Sequence, residues 1–145
     1  MRRFEKVSYD EIGILPTRND DGSAGYDFYT PYRLVIPPKG IVKFKTNIKC
    51  KLPNRDVLLL FVRSSIGIKK NLMLCNGTGV IDSTYYNNPD NEGNIIGALY
   101  NYGDEEQIIE AGDRVMQGVI MPFEVVEDDQ PLNKERVGGI GSSGK

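Results

Sequence analysis

The segment 76–85 reads Asn-Gly-Thr-Gly-Val-Ile-Asp-Ser-Thr-Tyr, and it places Asp82 beside a sharp glycine turn in a chain that has no histidine. Without histidine, neither a Ser-His-Asp nor a Cys-His nucleophile system can form, and zinc or iron sites built on imidazole are excluded. Proton transfer must therefore use carboxylates, or a hard cation must be held by oxygen ligands. We predict that Asp82 lies on a β-hairpin, where a carboxylate after Val80 and Ile81 needs a partner or a catalytic task. The structural alternative is an aspartate that caps the turn.

Two earlier blocks carry polar groups at the ends of apolar segments. Asp27 stands in the block Ala-Gly-Tyr-Asp-Phe, where strand alternation turns it away from both aromatic neighbours. A single aspartate at a strand end is usually structural. Arg63, Ser64 and Ser65 follow an apolar run, and a guanidinium fork with adjacent hydroxyl groups suits phosphate oxygens. Arg-Ser pairs are common, so this block alone is a weak signal.

Two later blocks complete the candidate chemistry. The segment Gly-Asp-Arg-Val-Met-Gln ends at Gln117, which can donate to a phosphate or to an ordered water. The same residues are also typical of an ordinary turn followed by a strand. The tail 136–145 is rich in glycine and serine. Residues 139–145 match the spacing G-x-x-x-x-G-K, but the Ser/Thr and helix that a phosphate-binding loop requires do not follow. We predict an arm that wraps an anion with backbone amides and acts as a lid.

Length and composition indicate one domain in the cytoplasm. The chain has 145 residues and a mass of 16.2 kDa, which predicts a single core without a second domain. A net charge of −2 and a pI near 5.2 argue against a nucleic-acid or anionic-membrane surface. Cys50 and Cys75 are expected to be free, buried thiols. The sequence also shows neither a signal peptide nor an apolar run of membrane-spanning length.

The hydrophobic pattern predicts an all-β domain of the jelly-roll type. Between residues 42 and 50, apolar side chains alternate with lysines and an asparagine, as in a half-buried strand. Val57 to Val62 is continuously apolar, as expected of a strand covered on both faces, and Val115 to Val126 is a β-rich stretch broken by Pro122. Frequent glycine and proline turns suit a sandwich or jelly roll. At most one short helix is expected, near Lys69 to Leu72.

Numbered in chain order, the five blocks are 24–28, 62–67, 76–85, 112–117 and 136–145. Taken together and in this order, they resemble the motifs of the trimeric dUTPase (dUTP nucleotidohydrolase) family over about residues 20–145. The resemblance implies a β jelly-roll protomer and a homotrimer with shared interfacial active sites. It also implies Mg²⁺-dependent cleavage of dUTP to dUMP and pyrophosphate. In this interpretation residues 1–135 form the β domain, and residues 136–145 form the arm that closes over an active site.

The resemblance also implies a role for each matching residue. Asp82 corresponds to the catalytic aspartate that activates the attacking water, Tyr85 to the tyrosine that packs on deoxyribose, and Asp27 to the aspartate that holds Mg²⁺ through water. The remaining matches are the uracil-reading hairpin with its opposite-strand partner (Asn76, Gly79, Val80, Ile81 and Ile96), the phosphate contacts (Arg63, Ser64, Ser65 and Gln117) and the arm (Arg136, Ile140, Gly141 and Ser142).

The sequence departs from the family pattern at three places. Residues 86–92 insert into the third block near the base pocket, and the pattern assigns them no role. Ile140 stands where the family usually has a phenylalanine, and an aliphatic side chain covers a base without stacking on it unless Tyr86 or another aromatic supplies the ring. Arg136 lies one residue closer to the following glycines than the family spacing.

Two rival functions remain open at the level of sequence. A dCTP deaminase shares the Arg-Ser-Ser turn, but it needs a glutamate at the position where this chain has Ala98, and alanine cannot transfer a proton. A non-catalytic nucleotide sensor would reuse the fold, although the joint presence of Asp27, Asp82 and Gln117 argues against it. The inserted segment leaves room for a regulatory protein partner.

Overall fold

A computed structural model describes residues 1–133 and 138–140, and these residues form the all-β structure that the sequence predicts. Every strand pairing is antiparallel. The strands are β1 (Arg3–Lys6), β2 (Thr17–Arg18), β3 (Tyr26–Tyr29), β4 (Leu34–Ile36), β5 (Ile41–Lys45), β6 (Ile48–Lys51), β7 (Asp56–Val62), β8 (Leu72–Leu74), β9 (Gly79–Asp82), β10 (Ile96–Asn101), β11 (Gln107–Ile109) and β12 (Arg114–Pro122).

Four small sheets are arranged with the crossovers of a jelly roll. The largest has the order β2-β3-β12-β7-β9, and a three-stranded sheet has the order β5-β10-β8. Two-stranded sheets pair β1 with β6 and β11 with β4. All four sheets contribute to one buried cluster, in which Phe28, Ile48, Leu58, Leu99 and Ile109 are at most 1% exposed. This shared core fixes the sheets relative to one another.

The predicted strands are present, with one change of pattern between residues 42 and 50. A sharp bend at Asn47, whose φ is +59°, divides this stretch into β5 and β6. Ile48 and Cys50 are buried as alternation predicts, but Lys49 is also only 8% exposed. The alternating pattern placed Lys49 in solvent. That expectation is wrong because acidic side chains cover this face of β6.

The strands that carry the second and fourth blocks follow the sequence closely. The run Val57 to Val62 lies within β7, which is paired at both edges, to β12 and to β9. Its Leu58 and Leu60 are buried, but Leu59 and Phe61 on the other face are only half-buried, so the expected covering of both faces is incomplete. The stretch from Val115 ends as a strand at Pro122, because proline has no N–H for the ladder. Residues 123–133 beyond it are exposed.

The helical turns differ from the one expected near Lys69 to Leu72. One five-residue helical turn spans Ser65–Lys69, and a 3₁₀ turn spans Ser83–Tyr85. Leu72 instead begins β8, since Asn71 adopts a φ of +54° and ends the helical turn. Nowhere in residues 1–133 and 138–140 is a helix long and apolar enough to cross a membrane.

The cysteines are both free, but only one of them is buried. Cys50 lies in the core, and burial raises the pKa of its thiol to about 12. Cys75 is exposed at the turn after β8. The expectation of two buried thiols is therefore correct for Cys50 and wrong for Cys75.

Leu58 provides a test of the shared core, because it is fully buried on the central strand β7. We expect Leu58→Ala to lower the free energy of unfolding by about 3 kcal/mol, since it leaves a cavity among rigid neighbours. The measurement is urea denaturation at one fixed protein concentration. Ile68→Ala, at a site 79% exposed, is the control and should change stability by less than about 0.5 kcal/mol. Equal losses in the two variants would contradict the assigned core.

Candidate active site

Three of the five blocks meet at one end of the five-stranded sheet. Asp27 on β3 lies directly opposite Gln117 on β12, and Gln117 in turn lies opposite Phe61 on β7. Arg63 follows β7 immediately. Side chains that are about 90 residues apart in sequence are thus neighbours, because antiparallel pairing aligns the ends of these strands.

Asp27 is the centre of a charged cluster. Its Oδ1 accepts a hydrogen bond from Nε of Arg63 at 3.2 Å, and its Oδ2 accepts one from Nη1 of Arg114 at 3.4 Å. Nη1 of Arg63 also lies 3.4 Å from Oγ of Ser65, while Ser64 is exposed beside it. Two guanidinium groups against one carboxylate leave the cluster positively charged. Such a cluster suits a phosphate group.

Arg114 joins this cluster through an irregularity in β12. The pairing of β12 with β3 shifts register between Arg114 and Met116. A bulge of this kind rotates the strand, so that Arg114 and Gln117 both approach Asp27 although they are three residues apart. Sequence reasoning did not select Arg114, and its position within the fourth block was the available signal.

Gly25 makes the first block fit against the fourth. A Cβ atom added at Gly25 would lie 2.6 Å from Oε1 of Gln117. Any larger residue at this position would displace the Gln117 side chain. Glycine at position 25 is therefore required for packing against Gln117, independently of the chemistry of Asp27.

The third block lies at the far side of β7. Gly79 is opposite Leu60 and Asp82 is opposite Val57. Gly77 adopts a φ of +73° in the preceding turn, as the sequence requires of a sharp bend. Within the block, Asn76 and Val80 are exposed, and Ile81 and Asp82 are half-buried.

The third block is not the simple hairpin that the sequence predicts. β8 before the turn pairs with β10, whereas β9 after it pairs with β7. Ile96, the expected opposite-strand partner of the block, lies on β10, which pairs with Lys45 of β5 at one edge and with β8 at the other. The turn at 75–78 therefore carries the chain from one sheet to another. Local glycine signals predict a turn but not which strands pair on either side of it.

Asp82 and the charged cluster are far apart within one chain. Asp82 lies opposite Val57, and Arg63 is six residues further along the same strand direction, which corresponds to about 20 Å at the rise of a β-strand. Arg63 and Asp82 of one chain therefore lie at opposite ends of β7. The two halves of the candidate site are separate in the single protomer.

Tyr85 is buried, with its hydroxyl group turned into the protein. The residue is 5% exposed and ends the 3₁₀ turn that follows Asp82. Its hydroxyl group donates to the carbonyl oxygen of Asn94 at 2.8 Å and accepts from Nδ2 of Asn91 at 2.9 Å. Only the apolar part of Tyr85 therefore remains to meet a substrate.

Only part of the C-terminal tail falls within the residues described. Gly138 and Gly139 are buried, and the N–H of Gly139 donates to Oδ2 of Asp90 at 2.7 Å. Ile140 is 74% exposed. Three residues that the sequence assigns to the arm lie outside the described ranges, and they are Arg136, Gly141 and Ser142.

Comparison with known proteins agrees with this arrangement. A family model for dUTPase matches residues 11–144. The deoxyuridine 5'-triphosphate nucleotidohydrolase of Lactococcus lactis is 45% identical to this chain, over 99% of this chain and 98% of its own length. The crystal structure of dUTPase from Streptococcus mutans has a TM-score of 0.80 and 42% identity, covering 86% of this chain and 98% of that chain. The chain belongs to the dUTPase family.

The segment 86–92, which the sequence predicts to be an insertion relative to the family pattern, is held by several contacts. Its Glu92 carboxylate accepts from the N–H of Ser8 at 2.8 Å, from Oγ of Ser8 at 2.5 Å and from Nζ of Lys49 at 2.6 Å. These contacts lower the pKa of Glu92 from its ordinary 4.5 to about 2, with the Lys49 hydrogen bond as the largest cause. Charge at Glu92 thus ties the inserted segment to β6 and to Ser8, which follows β1.

Tyr86 is held by contacts within the protomer. Its hydroxyl group donates to Oε1 of Glu5 at 2.7 Å. Nζ of Lys49 lies 5.0 Å from its ring centroid, as in a cation–π contact. The ring is therefore occupied by contacts with β1 and β6.

Glu92 makes the stability of this dUTPase-family chain depend on pH. Its folded pKa is depressed, so its contribution is complete above pH 4.5 and is lost as the pH falls towards about 2. We expect Glu92→Gln to be less stable than the natural chain at pH 7, and the difference to shrink between pH 4.5 and 2.5. Denaturant midpoints at a series of pH values measure this. Exposed Glu124→Gln is the matched control, and a Glu92→Gln deficit independent of pH would contradict the prediction.

Proposed function

We propose that the protein hydrolyses dUTP to dUMP and pyrophosphate. The observation that carries this proposal is the cluster of Asp27, Arg63, Arg114 and Gln117, which forms a compact phosphate-binding group in a chain of the dUTPase family. The reaction limits incorporation of uracil into DNA and supplies dUMP for dTMP synthesis. Two free cysteines are consistent with a reducing compartment, and we assign the activity to the cytoplasm.

We further propose that the active site is shared between the subunits of a homotrimer. The support is the separation of about 20 Å between Arg63 and Asp82, which follows from their positions along β7. Rotational symmetry can place the third block of one copy beside the phosphate cluster of the next. Three equivalent sites then arise from one kind of interface.

The phosphate-binding half uses residues at the start of the helical turn Ser65–Lys69 and from β12. Arg63 and Gln117 bind phosphate oxygens, with Ser64 and Ser65 as hydroxyl donors. Before substrate binds, Asp27 holds both arginine side chains in place. Binding the triphosphate therefore requires little reorganisation of the guanidinium groups.

The donor set fits a Mg²⁺ ion that is carried by the triphosphate. In residues 1–133 and 138–140 no three His, Cys, Asp or Glu side chains come together as a metal cluster. Mg²⁺ at nucleotide sites usually needs only one or two carboxylates, since phosphates and water supply its other ligands. Asp27, 13% exposed at its side chain, is the carboxylate that would hold such an ion through water. When bound, Mg²⁺ offsets charge on the leaving pyrophosphate.

The other half of the site recognises the nucleoside and supplies the general base. The uracil edge is read largely by backbone groups of the third block, because an N–H and a C=O match its acceptor and donor. Tyr85 packs on the deoxyribose. Asp82 orients the attacking water and accepts its proton as the oxygen adds to the α-phosphorus, with no covalent intermediate. The residues assigned to base reading are Asn76, Gly79, Val80, Ile81 and Ile96.

The arm 136–145 closes over the site as a lid on the domain 1–135. Gly138 and Gly139 support this role, because their burial brings the arm next to residues 88–91 of the inserted segment that follows the third block. Arg136 contacts the terminal phosphate, and Gly141 and Ser142 contribute polar groups to the closed arm. Ile140 covers the base with an aliphatic surface.

Nucleotide turnover tests the reaction. We expect purified protein with Mg²⁺ to release pyrophosphate from dUTP and not from dCTP, dTTP or UTP. Asp82→Asn is the matched control, and it should lose nearly all turnover while it still binds an unhydrolysable dUTP analogue, because the amide cannot accept the proton. Conversion of dCTP would indicate a deaminase. Binding of dUTP without turnover would indicate a nucleotide sensor.

Mixing two inactive variants tests the shared site. Arg63→Ala and Asp82→Asn should each be inactive alone, whereas trimers assembled from an equal mixture should regain about a quarter of the natural activity, since one site in four then combines two intact halves. The measurement is dUTP turnover after co-refolding. Unmixed variants refolded in parallel are the control. An inactive mixture would place both halves in one chain.

A further inference from the structure

The inserted segment 86–92 is an ordered loop built on the side chain of Asn88. This residue is 5% exposed, and its Nδ2 donates to the carbonyl oxygen of Tyr85 and to Oδ1 of Asn91, both at 2.8 Å. Its Oδ1 accepts from the N–H groups of Asp90 and Asn91 at 3.0 and 3.2 Å. A single buried amide therefore uses its whole hydrogen-bonding capacity to shape the loop around Tyr85.

Asn91 connects this loop to the hydroxyl group of Tyr85. Oδ1 of Asn91 accepts from Asn88 and from the N–H of Gly93 at 3.0 Å. With two donors at its oxygen, the amide must direct Nδ2 towards Tyr85, 2.9 Å away. The tyrosine hydroxyl is then an acceptor from Asn91 and a donor to Asn94. Both contacts together fix the position of the phenol ring.

The loop also returns close to the tyrosine backbone. Gly93 adopts a φ of +91°, and a Cβ atom there would lie 2.8 Å from the carbonyl oxygen of Tyr85. Only glycine permits this approach and this backbone conformation. The loop consequently packs directly against the residue that it holds.

Outside the loop, a buried network anchors the same unit. Asn94 is fully buried, its Nδ2 donates to Oδ1 of Asn47 at 2.8 Å, and its Oδ1 accepts from the N–H of Asn47 at 3.0 Å. Glu92 is fixed at the other side by Ser8 and Lys49. Tyr85 is therefore held by a loop that is itself attached to the bend between β5 and β6.

We propose that Asn91 is a positioning residue that fixes Tyr85 and so sets the discrimination between deoxyribose and ribose. This inference rests on the proposed function. An apolar side chain that can move aside discriminates only weakly against a substrate with an added hydroxyl group. Discrimination against the 2′-hydroxyl of ribose therefore depends on the rigidity of the tyrosine ring that contacts the sugar. The inserted loop supplies that rigidity through the Asn91 side chain.

Selectivity measured as a ratio provides the test. We expect Asn91→Ala to lower the ratio of kcat/KM for dUTP to kcat/KM for UTP about tenfold, which corresponds to the loss of one buried hydrogen bond. KM for dUTP should rise more than kcat falls, because the loss is in sugar binding. A variant that is merely less well folded lowers both kcat/KM values together and leaves the ratio unchanged.

Two further variants separate the Tyr85 contact from the building of the loop. Asn91→Asp keeps the oxygen that accepts from Asn88 and Gly93, but it cannot donate to the Tyr85 hydroxyl, whose single proton goes to Asn94. It should therefore keep the loop and still lose selectivity as Asn91→Ala does. Tyr85→Phe removes the hydroxyl group itself. The double variant with Asn91→Ala should be no less selective than Tyr85→Phe alone, since both changes break the same contact.

Asn54→Ala, in the exposed turn before β7, is the matched asparagine control and should leave the ratio unchanged. An unchanged ratio in Asn91→Ala would overturn the inference, as would additive losses in the double variant. Either result, obtained alongside normal dUTP turnover by the natural chain, would leave the proposed function intact. Failure of the natural chain itself to hydrolyse dUTP would remove the proposed function and this inference together.

Discussion

The pairing of strand β7 on both sides is the constraint from which the arrangement of the candidate site follows. Its partner β12 brings Gln117 to the end of the sheet near Arg63, and its partner β9 brings Asp82 to the opposite end. Backbone hydrogen bonds fix these registers, and a slip of one residue would turn every side chain of β7 to the other face. The buried side chains of β7, including Leu58 and Leu60, make such a slip costly.

The same register explains why one protomer holds two incomplete halves. A site within one chain would need Asp82 and Arg63 at the same end of β7, and antiparallel pairing with β9 prevents this. Each half is nevertheless prepared within its own chain. Asp27 holds two arginine side chains, while the third block holds Tyr85. In the proposed assembly, copies would join elements that are already in position, so little ordering would have to accompany substrate binding.

Ionic contacts hold the phosphate-binding half, and hydrogen bonds from buried amides hold the half around Tyr85. At the phosphate-binding half, one carboxylate between two guanidinium groups leaves positive charge for an anionic substrate. Around Tyr85, the contacts come from asparagine side chains and backbone groups, and no buried polar side-chain atom in the part of the chain described is left unsatisfied. Neutral amides add directional hydrogen bonds without placing further charge beside a triphosphate.

The sequence by itself determined the all-β class, the end of β12 at Pro122 and the exclusion of histidine chemistry. It also predicted the turn at Gly77, because these features depend on the local pattern of side chains. Only the tertiary structure decided that Gln117 lies beside Asp27, that Ile96 pairs with β5, and that Lys49 is buried. Such outcomes depend on which distant strands meet, and the two-residue period of a strand is the same whichever partner it has.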